Sequence, residues 1–358
     1  MPDANLADLT NLASAADGLS AEDAREAAQL LIAADVQAEE KASLLTAMNA
    51  RGETPTELAA FAGAFREVAR DPGLSEIAQR AIDIVGTGGD KSGSFNISTT
   101  SAFIVAAAGV PVLKHGNRSI TSNCGSADLL SAVGVDLEAS LPTIRHSVEE
   151  LNFAFFFAPA FHPAFKEIMP VRKALAEQGR RTIFNLLGPL INPAKPAYQL
   201  LGVFPGRWVE PVAYALESVG LKRGLVAHCD MGDGLGMDEF STAGVNFGAG
   251  VGELGKSGEG VLWNAETPLD LASLGLEPCA MADLKGGDLN DNLIILERLM
   301  AGKAPQGLED TVCLNAGAAL WVAGRCSSLK EGIGAAREIL TGGALQRWLT
   351  QLKEFYAG

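Results

Sequence analysis

The sequence predicts an α/β protein: a small N-terminal helical domain beside a larger domain with a central, mainly parallel sheet flanked by helices. Two patterns carry this expectation. Residues 1 to about 75 show only helical periodicity and helix caps, whereas from about 80 onward short apolar runs alternate with helical stretches. Such alternation is what strands joined by helical crossovers require. Size agrees, since 358 residues, 47% of them hydrophobic, suffice for about two domains with full cores.

The elements follow in order. Ser20 precedes Ala21-Glu22-Asp23, an N-cap with acids in the first turn, and Ala24, Ala27, Leu30 and Leu31 continue at helical spacing. A second helix spans roughly Ala38 to Ala50 and stops at Gly52. Thr54-Pro55-Thr56-Glu57 then supplies an N-cap, a proline at the first helical position and a glutamate that closes a capping box. Asp71-Pro72-Gly73 ends this region, which carries few chemically active groups and reads as a packing or dimerisation domain over 1–75. The α/β domain is expected over 80–358. Its strands are placed at Ala81–Val85, Val110–Leu113, Phe153–Ala158, Leu200–Phe204 and Gly224–Ala227, and helices at Ser98–Ala108, Ala127–Val133 and Val209–Val219.

Charge and cysteine usage narrow the function. With 28 basic against 43 acidic residues the net charge is −15, which argues against nucleic acid or an anionic membrane as partner. An anionic ligand would then need a local cluster of cations or a metal. Five scattered cysteines without a CxxC pair read as reduced thiols of a cytoplasmic protein. The start of the chain lacks the basic and apolar regions of a secretion signal, and the apolar stretches are too short to span a bilayer.

Five constellations carry the chemistry. The first strand ends in Gly86-Thr87-Gly88-Gly89-Asp90, where glycines let backbone N–H groups approach an anion. It is neither a Walker loop nor GxGxxG, and a tight bend would have the same composition. Asn96-Ile97-Ser98-Thr99 then opens a helix, a second anion-binding device. Lys114-His115-Gly116-Asn117-Arg118 follows the next strand and combines a point charge, a fork, an imidazole and an amide. Asp238-Glu239 pairs two carboxylates suited to Mg²⁺ beside a polyphosphate, although an acidic surface turn would read alike. Finally, His162 follows the apolar Phe153–Phe161 run, with Arg172 ten residues on, a mixture suited to an aromatic carboxylate and equally to a core histidine.

Taken together and in order, these segments resemble the anthranilate phosphoribosyltransferases. The resemblance extends to His162-Pro163-Ala164, to Arg181-Thr182-Ile183-Phe184-Asn185 with Gly188-Pro189-Leu190 and Asn192-Pro193, to Gly18-Leu19-Ser20 and Arg51-Gly52-Glu53-Thr54, and to Gly286-Gly287-Asp288, Asn292 and Leu314-Asn315-Ala316. It implies a helical domain completed by part of 165–195, a homodimer formed through that domain, and Mg²⁺-dependent transfer of phosphoribose from phosphoribosyl pyrophosphate (PRPP) to the amine of anthranilate. By position, it implies PRPP contacts at Gly86, Gly89, Asp90, Ser94, Asn96, Ile97, Ser98, Thr99, Lys114, His115, Gly116, Asn117, Arg118, Ser119, Ile120, Thr121, Ser122 and Ser126. Mg²⁺ would lie at Ser98, Asp238 and Glu239, and anthranilate at Gly86, Asn117, His162 and Arg172. Lys114, His115 and Arg172 are the implied catalytic group.

Two departures from the family pattern stand out. The Lys173–Arg180 segment and the Cys229–Leu235 loop are both longer than is common in the family. The first flanks the acceptor side, which keeps another aromatic acceptor as an alternative. A pyrimidine nucleoside phosphorylase is disfavoured by Asn117 and Arg172. A non-catalytic, nucleic-acid-binding paralogue is disfavoured by the acidic charge and by Asp238-Glu239.

Overall fold

The structure is a computed structural model and describes residues 5–117, 124–257 and 267–357. Four helices open the chain: α1 (Leu6–Ala13), α2 (Ala21–Ile32), α3 (Ala38–Arg51) and α4 (Pro55–Glu67). The caps act as the sequence implies. Ser20 accepts from the Asp23 amide, and Thr54 and Glu57 form the capping box that opens α4. Glu57 is fully buried and does more than cap, because its carboxylate also takes Arg51 at 2.6 Å and the Leu19 amide at 2.9 Å. A buried carboxylate needs such partners, and here they join the ends of α3 and α4 to the turn before α2.

The sheet follows. Its strands are β1 (Ile82–Gly86), β2 (Val112–Gly116), β3 (Phe153–Phe157), β4 (Tyr198–Gly202), β5 (Arg223–Gly232), β6 (Leu235–Met237) and β7 (Val245–Gly252). They are ordered β3-β2-β1-β4-β5-β6, with β7 also paired to β5. The first five are mutually parallel, and β6 and β7 run antiparallel to β5. From β1 the chain steps outward to β2 and β3, then returns to lay β4 on the other side of β1. Strand order therefore reverses between β1 and β4, which leaves a crevice beyond their carboxyl ends, where ligands of open α/β sheets bind. Gly86 and Gly202 are register partners at that point.

Four strands differ from the sequence expectation. β2 runs on to Gly116 instead of ending at Leu113, β5 continues to Gly232 instead of ending at Ala227, and β6 and β7 are not among the expected strands. Antiparallel pairing with β7 supplies the hydrogen bonds that carry β5 past its apolar run, and the glycines at 248, 250 and 252 hide the alternation of β7. Asp230 lies exposed near the end of β5, and Asp233 lies exposed in the turn from β5 to β6.

Two large apolar clusters hold the molecule. One surrounds the helix Gln306–Val322, which packs on the helix Ile97–Ala107 beneath the sheet. The other joins Leu31, Leu44, Phe61 and Phe65 of the N-terminal helices to Ile168, Leu175, Phe184 and Leu187, and continues to Val203, Val212 and Val226. Residues 168–191 thus pack with the N-terminal helices. Among the described residues no helix is long and apolar enough to cross a membrane, and all five cysteines are free thiols.

Candidate active site

At the strand-order reversal lies a cleft of about 500 Å³. It is lined by the turn Gly86–Asp90, by Ser94, Asn96, Ser98 and Thr99, by Lys114–Asn117 and Ser126, and by Asp238 and Glu239. Four separate stretches of sequence meet here because each follows the carboxyl end of a strand or opens a helix beside one.

The glycines at the bottom make room for protein as well as for ligand. A Cβ on Gly86 would fall 2.2 Å from Asp238 Oδ2, and one on Gly202 would fall 1.4 Å from the Asp238 carbonyl oxygen. The two paired glycines let the chain after β6 cross the ends of β1 and β4. That crossing brings Asp238 over the turn, where it accepts the Gly88 amide at 2.6 Å. The Thr87 amide is donated to the Gly202 carbonyl at 2.9 Å. Two N–H groups of the turn are thus engaged within the protein. Gly88 and Gly89 have φ of 70° and 81°, a conformation that favours glycine.

Asp238 and Glu239 face the cleft and are enclosed by protein elsewhere, so they do not form an acidic surface turn. Burial, reinforced by the neighbouring Asp90, raises the Asp238 carboxyl to about 7. Burial, then Asp238 and Asp90, hold Glu239 well above the usual carboxylate range, against the Ser98 amide it accepts at 3.0 Å. This concentration of poorly compensated acid is what a divalent cation relieves. Among the described residues no three His, Cys, Asp or Glu groups form a complete metal site. The donors present fit Mg²⁺, which binds through one or two carboxylates with phosphate and water supplying the rest.

Lys114 is buried, its ammonium donating to the Ile84 carbonyl, and burial lowers its pKa against the attraction of Asp83, Glu239 and Asp238. Asp83 in turn receives the His115 amide and the Asn192 side chain, which fixes the carboxyl end of β2, where Lys114 and His115 lie. His115 contacts the Gly188 carbonyl through Nδ1 at 3.2 Å. Its Nε2 is buried without a hydrogen-bond partner, as are Asn96 Oδ1 and Thr99 Oγ1. All three residues line the cleft. Buried polar atoms left open at a cavity wall mark places where a ligand completes the bonding.

The remaining sequence candidates are distributed unevenly. Ile97 turns its side chain into the core and gives its amide to the Phe95 carbonyl at 2.7 Å. Gly116 and Ser126 lie on the cleft wall, where a Cβ on Gly116 would stand 3.3 Å from Ser126 Oγ. His162 and Arg172 do not line the cleft; they stand behind its wall. The His162 ring meets that of His115 at 5.1 Å, and the Arg172 guanidinium lies 5.1 Å from the Phe184 ring and 5.9 Å from that of Phe165. Arg118, Ser119, Ile120, Thr121 and Ser122 lie outside the described residues.

The cleft also contains groups whose role no sequence signal revealed. Asn49 and Glu53 reach it from the end of α3, and Arg181, Thr182, Asn185, Arg207 and Trp208 complete the rim. Glu53 and Arg181 fall within recognisable motifs, yet nothing in a linear sequence tells that the helical domain folds over the strand ends.

The fold and cleft define a class. Residues 9–69 match the helical bundle domain, and residues 78–346 the a/b domain, of the group described as "Glycosyl transferase family". The anthranilate phosphoribosyltransferase of Thermus thermophilus is 44% identical over 339 residues, covering 94% of this chain and 96% of that protein. That of Parvibaculum lavamentivorans is 42% identical over 346 residues, 96% of each chain. The crystal structure of the Thermus thermophilus enzyme matches with a TM-score of 0.84 at 42% identity, over 98% of this chain and all of that one (100%). The Saccharomyces cerevisiae enzyme in complex with PRPP and Mg matches with a TM-score of 0.79 at 25% identity over 98% of each chain. Within the glycosyltransferase class, the chain belongs to the anthranilate phosphoribosyltransferase family.

Proposed function

We propose that this chain transfers the phosphoribosyl group of PRPP to the amine of anthranilate, giving N-(5-phosphoribosyl)anthranilate and pyrophosphate, with Mg²⁺ required. The observation that carries this reading is the meeting of Asp90, Asp238 and Glu239 at the glycine turn beside the open polar atoms of Asn96, Thr99 and His115. One wall offers carboxylates for a cation; the other offers donors and acceptors for a ribose and its phosphates.

The bond from ribose C1 to pyrophosphate breaks with positive charge building on the sugar and negative charge on the leaving group. Asp238 and Glu239, with Ser98 beside them, would hold Mg²⁺, which when bound supplies charge neutralisation for pyrophosphate. Lys114 adds a fixed positive field behind β1. The aromatic amine is already a free base at neutral pH, so the protein must place it more than deprotonate it. Burial depresses His115 to about 3 and His162 to about 4, which leaves both neutral, His115 on the cleft wall and His162 packed behind it. Arg172 is a half-buried cation with no carboxylate partner among the described residues, stacked on two aromatic rings. An aromatic carboxylate would suit it. We further infer a cytoplasmic homodimer formed through the N-terminal helices, where Leu12 of α1 is exposed; sedimentation of a Leu12→Glu variant tests this.

The reading is tested by following anthranilate fluorescence with purified protein, PRPP and Mg²⁺. Loss of fluorescence that needs both additions is expected. No loss at any Mg²⁺ concentration, from a folded sample, would favour a paralogue with another acceptor or without catalysis.

A further inference from the structure

We infer that Arg181 contacts the pyrophosphate of PRPP and is a cation that offsets the acids at the glycine turn, an inference that rests on the transferase reading above. The turn supplies less positive potential than its glycines imply. Its Thr87 amide is bonded to Gly202 and its Gly88 amide to Asp238. Lys114 is buried behind β1, its ammonium turned to the Ile84 carbonyl. Around the cleft stand four carboxylates, those of Glu53, Asp90, Asp238 and Glu239. A ligand with several phosphate charges would meet repulsion there unless an exposed cation faced it.

Arg181 is placed for this. A Cβ on Gly89 would lie 3.0 Å from Arg181 Nη2, so the guanidinium covers the face of the turn that only a glycine leaves open. The side chain is exposed to the cleft and forms no ion pair among the described residues. Its backbone is anchored on both sides, because the Arg180 amide before it donates to the Leu175 carbonyl at 3.0 Å and the Thr182 amide after it is bonded as well. The Thr182 amide donates to Asn185 Oδ1 at 2.9 Å, and the Arg180 guanidinium donates to the Thr46 hydroxyl of α3 at 3.2 Å. A fixed backbone with an unpaired planar fork is the arrangement that binds phosphate oxygens in pairs.

The test is calorimetric titration of the full-length protein with PRPP, and separately with inorganic pyrophosphate, in Mg²⁺ and without acceptor. Arg181→Gln is expected to weaken both by roughly ten- to a hundredfold, as loss of charge-assisted hydrogen bonds does. Arg181→Lys should recover part of the loss, and the KM for anthranilate should stay near that of the wild type. Arg181→Gln that binds PRPP and pyrophosphate like the wild type would overturn the inference, as would a rise confined to the anthranilate KM. Wild-type protein that binds neither ligand would overturn the transferase reading itself.

Discussion

Asp238 and Glu239 are held as adjacent, half-buried acids with Asp90 nearby, an arrangement that costs stability until a cation arrives. Saturating Mg²⁺ is expected to raise the melting temperature of the free protein; at a hundredfold excess over Kd, binding adds about 2.7 kcal/mol. Asp238→Asn should melt higher than wild type without metal at pH 8, and should lose most of the Mg²⁺ response. The histidines give a pH signature of their own. His115 and His162 stay neutral in the fold down to about 3 and about 4, because burial opposes their charging. The unfolded chain protonates them near 6.5. Their contribution to stability is therefore full above about pH 6.5 and is lost as pH falls from there toward 4. Melting curves of His162→Asn should show a shallower loss over that window than wild type. Arg172→Ala should raise the anthranilate KM by roughly ten- to a hundredfold, as loss of a charged hydrogen-bond partner does, with PRPP affinity little changed; equal losses would make Arg172 a packing residue. At this scale the sequence was informative about residue type: carboxylates, cations and glycines could be named. It could not reveal that Ile97 points into the core, or that the Gly88 amide is already bonded to Asp238, since both depend on contacts across more than a hundred positions.

Elements near the site owe their placement to two glycines at one register position. Any side chain on Gly202 would collide with the Asp238 main chain, 1.4 Å from its would-be Cβ, and neither partner is a flexible tip that can move aside. Gly202→Ala is expected to cost about 1–3 kcal/mol by overpacking and to weaken the Mg²⁺ response as residues 238–239 are displaced. Gly63→Ala is the control: it lies inside α4 with nothing within 4 Å, and should stabilise the protein by up to about 1 kcal/mol. Thermal melts with and without Mg²⁺ separate the two. The helices of residues 1–75 were readable from Ser20, Thr54 and Gly52 because caps are local. The parallel strands were readable from their apolar runs. β7 was not, because its glycines remove the alternation by which a strand shows itself.

Across the whole molecule, one apolar cluster runs from α1 to β7, so the helical region and the sheet share a core. Unfolding one exposes the face of the other, and a single calorimetric transition is expected; two separate peaks would contradict this coupling. The same contacts close the α3 end over the glycine turn and bring Glu53 and Arg181 to a cleft otherwise built from strand ends. In an acidic chain of net charge −15, that cleft must gather its positive charge locally, from a metal and a few cations. The central claim is that a C–N bond forms at the junction between this phosphate wall and the acceptor side. The most direct measurement is pyrophosphate release followed by phosphorus NMR alongside anthranilate consumption, in one sample with PRPP and Mg²⁺. The account predicts that the two proceed in equal amounts and stop when Mg²⁺ is chelated. Pyrophosphate released without matching loss of anthranilate, or no release from folded protein, would contradict it.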